Sequence, residues 1–165
     1  MPKVYFAGPD VFKKDYGTTK SNIRKLCEPH GIIPLIPGDD TAPLQDGDPP
    51  SAIYRQNIDH IRDADGVIAN LEPFRGVVEP DSGTAFEVGH AAALGKWIIG
   101  YLPDRRPITK KLLGSPYGDG GDEHVGINSE AEEEFGYPVN LMLYKACDKI
   151  VGSLEEAVLL AAKRP

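Results

Sequence analysis

Asp81 and Glu87 stand in the stretch Asp81-Ser82-Gly83-Thr84-Ala85-Phe86-Glu87-Val88-Gly89-His90. Asp81 and Ser82 fall at the N-terminal edge of a small-residue helix, and Glu87 falls near its second turn. Phe86, Val88 and Gly89 surround Glu87, an odd setting for a solvated carboxylate. A helix N-terminus favours the charged form of an acid, which suits an anionic nucleophile. Gly89 costs a helix about 1 kcal/mol and suggests a close approach by another group. The competing reading makes Asp81 an ordinary helix cap and Glu87 a surface charge. At this level both readings stand.

Other chemistries lack their residues. Gly8-Pro9-Asp10 occupies the position where a dinucleotide fingerprint would follow the first strand, and there is no P-loop. H-E-x-x-H and G-x-S-x-G are absent, and His30, His60, His90 and His124 lie in separate segments. Neither a metal nor a cofactor is expected. The two cysteines, Cys27 and Cys147, are too few for a disulfide framework and form no C-x-x-C pair, so both are expected as free thiols in a reducing cytoplasm. The chain has 165 residues, 18 basic against 25 acidic, for a net charge of −7. That balance argues against a phosphate-backbone binder but leaves a neutral nucleoside open. The chain begins without a signal-like run, and no apolar segment reaches membrane-span length.

The elements that must hold the two acids alternate. Strand-like runs are expected at Lys3 to Ala7, Ile32 to Ile36, Gly66 to Leu71, Trp97 to Tyr101 and Lys149 to Val151. Helices are expected at Thr18 to Cys27, Ser51 to Ala64, Gly83 to Leu94, Val139 to Cys147 and Ser153 to Lys163, the last with Ser153 as N-cap and Glu156 at N3. Gly95 is expected as the C-cap after Leu94. The order implies a single-domain α/β sandwich, Rossmann- or flavodoxin-like, with a central five-stranded parallel sheet flanked by helices. A polar insertion at about 103–137 interrupts it. Sites in such sheets lie beyond the carboxyl ends of the strands, which nominates Ala7 to Phe12, Asn70 to Ser82 and the loop after Tyr101.

Tyr5-Phe6-Ala7-Gly8-Pro9, Ala64-Asp65-Gly66-Val67-Ile68-Ala69-Asn70-Leu71, Asp81 to Gly89 and Val139-Asn140-Leu141-Met142 follow one another along nearly the whole chain. In that order they resemble the nucleoside 2-deoxyribosyltransferase family, and the D-x-G-T-x-x-E-x-G block is the most specific part. The resemblance implies cleavage of the N-glycosidic bond of a 2′-deoxynucleoside and transfer of the sugar to another base. Glu87 matches the family's nucleophile, Tyr5 the tyrosine that orients it, and Asp81 the acid that shuttles the base's proton. A covalent deoxyribosyl-enzyme and retention of configuration follow from that chemistry. Glu87 should then be ionised and Asp81 partly protonated. Gly8 and Gly83 fall within the matched stretches, Phe12 lies on the nominated loop after the first strand, and Phe74 reads equally as a surface to stack on a base or as packing at the edge of the core. Where members carry a second aspartate touching the base, the pattern puts Asn57, with Asp59 two positions on. Asn57 donates and accepts but cannot act as an acid. Asn140 and Met142 match residues that reach into a neighbouring subunit's site. The implied partners are 2′-deoxynucleosides and free purine or pyrimidine bases, in a homo-oligomer with shared sites, without nucleic-acid polymer or membrane.

Two alternatives remain at this point. One is a hydrolase of 2′-deoxynucleoside 5′-monophosphates from the same superfamily, for which Lys13 and Lys14 offer charge although the arginine-bearing loop is missing. The other is a non-catalytic nucleotide-binding module. The acids Asp119, Asp122, Glu123, Glu130, Glu132, Glu133 and Glu134 read as a solvated flap. Asp65, at the entrance of the third strand, reads as structural.

Overall fold

Residues 1–39, 48–112, 133 and 135–164 are described by a computed structural model of the chain. Five strands, β1 (Lys3–Ala7), β2 (Ile33–Leu35), β3 (Gly66–Asn70), β4 (Trp97–Tyr101) and β5 (Lys149–Val151), form one sheet in the order β2-β1-β3-β4-β5. Every pairing is parallel, with Tyr5 opposite Leu35 on one side and Val67 on the other. All residues of β3 are buried, as expected for a strand covered on both faces.

Side-chain alternation along the strands divides the interior in two. Val4, Phe6, Ile68, Ile99 and Val151 pack with Ile23 and Cys27 of α1 (Tyr16–Cys27) and Ala157, Val158 and Ala161 of α6 (Leu154–Ala161). Tyr5, Ala7, Val67, Ala69 and Ile98 face the other way. They pack with Ile61 of α2 (Pro49–Asp63), Val88 and Ala91 of α3 (Ser82–Ala93) and Leu143 of α5 (Leu141–Ala146). This parity decides the site: an odd-numbered tyrosine on β1 points towards α2 and α3.

Local chemistry accounts for the ends of these elements. Pro49 and Pro50 occupy the first helical positions of α2, where their missing N–H groups cost nothing. Asp81 caps α3 and Ser153 caps α6, each accepting from the backbone N–H three residues on. Glu156 accepts from Gly152 N–H at 3.1 Å, completing a local exchange like a capping box. The last turn of α3 closes through Leu94, and Gly95 follows at φ 68°, the left-handed conformation of a C-cap glycine. Asp65 accepts from Lys3 N–H at 2.8 Å while its own N–H donates to Lys3 C=O, so this carboxylate ties β1 to the entrance of β3. Cys27 and Cys147 are both free thiols.

The expected polar insertion contains one element that was not foreseen. Pro107 opens α4 (Ile108–Leu112), a five-residue helix that buries Ile108 and Leu112. A single i, i+4 pair within polar sequence is too short a pattern to register as a helix. Positions 113–132 and 134 of that insertion lie outside the described residues, and with them six of the seven acids named above. α1 begins two residues earlier than expected, and α5 is shorter than expected at its N-terminal end.

Candidate active site

The strand order reverses between β1 and β3, and the loops leaving those two strands meet there. Gly8 follows β1 at this point. A Cβ on Gly8 would lie 2.9 Å from both Asn70 Cβ and Asp10 Oδ2, so only glycine lets the two loops close together. Asn70 is 3% exposed; its amide donates to Asp10 Oδ2 at 3.1 Å, and its Oδ1 accepts from Glu72 N–H at 3.0 Å. Asp10 is in turn ion-paired with Lys13. Sequence reasoning did not single out Asn70 or Asp10; the available signal was a buried amide closing an otherwise apolar strand.

Tyr5 and Glu87 meet on the α2/α3 side of the sheet. Tyr5 is fully buried, and its hydroxyl donates to Glu87 Oε1 at 2.6 Å. Asn57 Nδ2 lies 3.5 Å from the same oxygen. Three residues from β1, α2 and α3 therefore converge, and both donors engage Oε1 rather than Oε2. Asn57 Oδ1 is buried and has no hydrogen-bond partner among the described residues.

Burial is the largest influence on Glu87 and raises its pKa to about 7; the Tyr5 hydrogen bond pulls it down and the Asp81 charge pushes it up again. This departs from the expectation of a fully ionised nucleophile at neutral pH. The helix-dipole argument fails because Glu87 lies in the second turn of α3, beyond the dipole's effective reach. Tyr5 is held far above the usual phenol range, first by burial and then by the Glu87 charge, so it stays a donor throughout the working pH range.

Asp81 takes the helix-cap role weighed from sequence. Its Oδ2 accepts from Thr84 N–H at 3.0 Å and from the Thr84 hydroxyl at 3.3 Å, as an N-cap. Its charge is nevertheless felt at Glu87, which places the two carboxylates in one electrostatic field. Gly83 makes the cap geometry possible, since a Cβ there would stand 2.9 Å from Asp81 Oδ2. Gly89 is different: nothing among the described residues comes within 4 Å of where its Cβ would be.

Other expected residues lie away from the Tyr5–Glu87 pair. Phe12 stacks on Phe74 at a centroid distance of 5.3 Å, and the Arg75 guanidinium lies over both rings. Arg75 adopts φ 56°, the left-handed region that a non-glycine residue seldom occupies. These rings border a cavity of about 180 Å³ that also includes Pro9, Asn70 and Glu72. A larger cavity of about 480 Å³ opens on the α1/α6 side of the sheet, and neither cavity is lined by Glu87. Asn140 caps α5 by accepting from Met142 N–H at 2.9 Å, and its amide donates to Glu133 Oε1 at 2.6 Å. Met142 is 71% exposed. Among the described residues Asn140 hydrogen-bonds to Met142 and Glu133, not to Glu87. No group of three or more potential metal ligands occurs among the described residues.

A half-buried carboxylate gripped through one oxygen, on one face of a parallel sheet, is chemically suited to act as a nucleophile or a base. Comparison with known proteins specifies the kind. The model of the nucleoside 2-deoxyribosyltransferase family matches residues 4–142, and the chain belongs to that family. The structure of a 2-desoxiribosyltransferase from Leishmania mexicana is similar at 39% identity and a TM-score of 0.79, with 99% of both chains covered. A 2-deoxyribosyltransferase from Bacillus psychrosaccharolyticus, at 17% identity and a TM-score of 0.61, covers 99% of this chain and 92% of its own and shares the fold. An uncharacterized Schizosaccharomyces pombe protein is 29% identical over 119 residues, 68% of this chain. The match takes in 55% of that protein, so the chain spans about half the length of this curated relative.

Proposed function

We propose that the chain exchanges the base of 2′-deoxynucleosides through a covalent deoxyribosyl-Glu87 intermediate, with retention of configuration. The observation that carries this reading is the 2.6 Å hydrogen bond from the Tyr5 hydroxyl to Glu87 Oε1, which leaves Oε2 available to attack. In the first step Glu87 Oε2 bonds to C1′ while the C1′–N bond breaks and its electron pair goes to the departing base. Asp81 supplies the proton that the base needs to leave. In the second step a nitrogen of a different base attacks C1′, the bond to Glu87 breaks, and Asp81 takes up the proton that the incoming base loses. Tyr5 stabilises the carboxylate both before attack and when Glu87 leaves.

Phe12 and Phe74 offer aromatic surface at the rim for a base, and Gly8 and Gly83 let the neighbouring Asn70, Asp10 and Asp81 side chains close in around the substrate. A homo-oligomer with shared sites belongs to the same proposal, with Asn140 and Met142 reaching a neighbour's sugar. The exposure of Met142, Phe86, Tyr54 and Ile53 supports an interface on the α2/α3/α5 side. No helix among the described residues is long and apolar enough to cross a membrane. Nucleoside salvage in the cytoplasm is the setting in which this activity would operate.

The test is incubation of the protein with a 2′-deoxynucleoside and a different free base, followed by chromatographic separation. The swapped nucleoside is expected. Base release without exchange would favour the hydrolase, and neither exchange nor release would remove both enzymatic readings.

A further inference from the structure

Family resemblance implies Asn57 beside the base, and its contact with Glu87 points to a second candidate neighbour. The inference rests on the proposed attack of Glu87 at C1′. In a β-D-nucleoside the base and the 5′ carbon stand on one face of the ring, and the 3′-hydroxyl stands on the other. Displacing the base with inversion requires the Glu87 carboxylate to approach from the hydroxyl-bearing face. Asn57 Nδ2 is 3.5 Å from Glu87 Oε1, so the amide is held to the carboxylate on that same face, across the ring from the base.

The amide's orientation is also determined. With Glu87 ionised, as attack requires, only the nitrogen faces its oxygen favourably, because two oxygens there would repel. Asn57 Oδ1 is therefore an acceptor, and it is buried without a partner among the described residues. Leaving a buried acceptor unmet costs free energy that a substrate donor would recover. On the relevant face of a 2′-deoxynucleoside the nearest donor is the 3′-hydroxyl.

We propose that Asn57 binds the sugar rather than the base: its Nδ2 steadies Glu87 Oε1, and its Oδ1 accepts from the 3′-hydroxyl of the deoxyribose. The residue thereby couples recognition of the sugar to alignment of the nucleophile. An aspartate at this position would hold the hydroxyl too, but it would set a second negative charge against Glu87.

The experiment compares kcat/KM for a 2′-deoxynucleoside and the matching 2′,3′-dideoxynucleoside, in the wild type, Asn57→Leu and Asn57→Asp. Taking the ratio between proteins cancels the intrinsic reactivity difference of the two substrates. The deoxy-to-dideoxy preference is expected to fall about tenfold in Asn57→Leu, equally for a purine and a pyrimidine leaving base. Asn57→Asp is expected to retain the preference while its activity rises only at higher pH than in the wild type. An unchanged preference in Asn57→Leu, or a loss that follows the base instead of the sugar, overturns the assignment. Should Asn57→Leu not fold, loss of the sugar preference in Asn57→Asp, or an unmoved pH profile there, overturns it equally. Absence of exchange and base release in the wild type would instead overturn the activity itself.

Discussion

Replacing Glu87 by glutamine should abolish sugar transfer and at the same time stabilise the protein, and the size of the gain follows from its burial. In the folded chain the Glu87 carboxyl holds its proton up to about pH 7, against 4.5 for an ordinary glutamate. Between those values the folded state binds more protons than the unfolded state, so stability falls as pH rises through this window. The difference of 7 minus 4.5 is about 2.5 units. At about 1.36 kcal/mol per unit, the ionised carboxylate costs the fold about 3 kcal/mol above pH 7 and nothing below pH 4.5. Glutamine keeps an oxygen to accept from the Tyr5 hydroxyl but carries no charge. For a chain of this length, about 3 kcal/mol corresponds to a rise in Tm of about 6–10 °C. Thermal unfolding of wild type and Glu87→Gln at pH 4.5 and pH 8 measures it directly. The variant should gain at pH 8 and gain little at pH 4.5. Equal differences at the two pH values, or a less stable variant at pH 8, would refute the claim that burial of this carboxylate governs its charge.

Three further outcomes follow from the same geometry. Tyr5→Phe removes the hydrogen bond that lowers the Glu87 pKa, so the acid limb of the kcat/KM–pH profile should move up from about 7 by about one unit or more, and an unmoved limb would exclude the role assigned to Tyr5. Asp81→Asn preserves an acceptor for Thr84 N–H and hence the helix cap, so Tm should hold while transfer falls most for bases that need protonation to leave; the acid limb should also move down as the Asp81 charge disappears, and uniform losses across leaving groups would contradict proton transfer by Asp81. Gly66→Ala would put a Cβ 2.0 Å from Trp97 Cδ2, inside the ring's packing volume, so the variant should lose several degrees of Tm or fail to fold, and a wild-type melting curve would show that Trp97 moves aside freely.

Much of the architecture was legible along the chain because each signal was local. Trp97–Tyr101 is an apolar run bounded by Gly95 on one side and proline on the other, and it forms the strand with the expected bounds. Asp81 three positions before Thr84 and Ser153 three positions before Glu156 announce two helix starts, and both caps form. α4 escaped notice because its whole pattern is Ile108 and Leu112, one turn apart. Gly89 marks a similar limit: a glycine within a helix signals missing bulk but not what, if anything, fills the space.

Residue types and spacing by themselves pointed to the parallel α/β sandwich and to Asp81 and Glu87, because hydrophobic period and helix capping act over a few residues; Tyr5 came only with the family resemblance. They could not determine how those groups meet. Tyr5 and Glu87 are separated by 82 positions, and only the parity of β1 under α3 brings the phenol to one particular carboxylate oxygen. The Glu87 pKa near 7 also belongs to the tertiary structure, since it results from water excluded by packed helices and not from the residue's neighbours in sequence. Asn57 shows the division most clearly: its position in α2 was legible, but the contact that aims its nitrogen at Glu87 and leaves its oxygen unmet exists only in the folded chain.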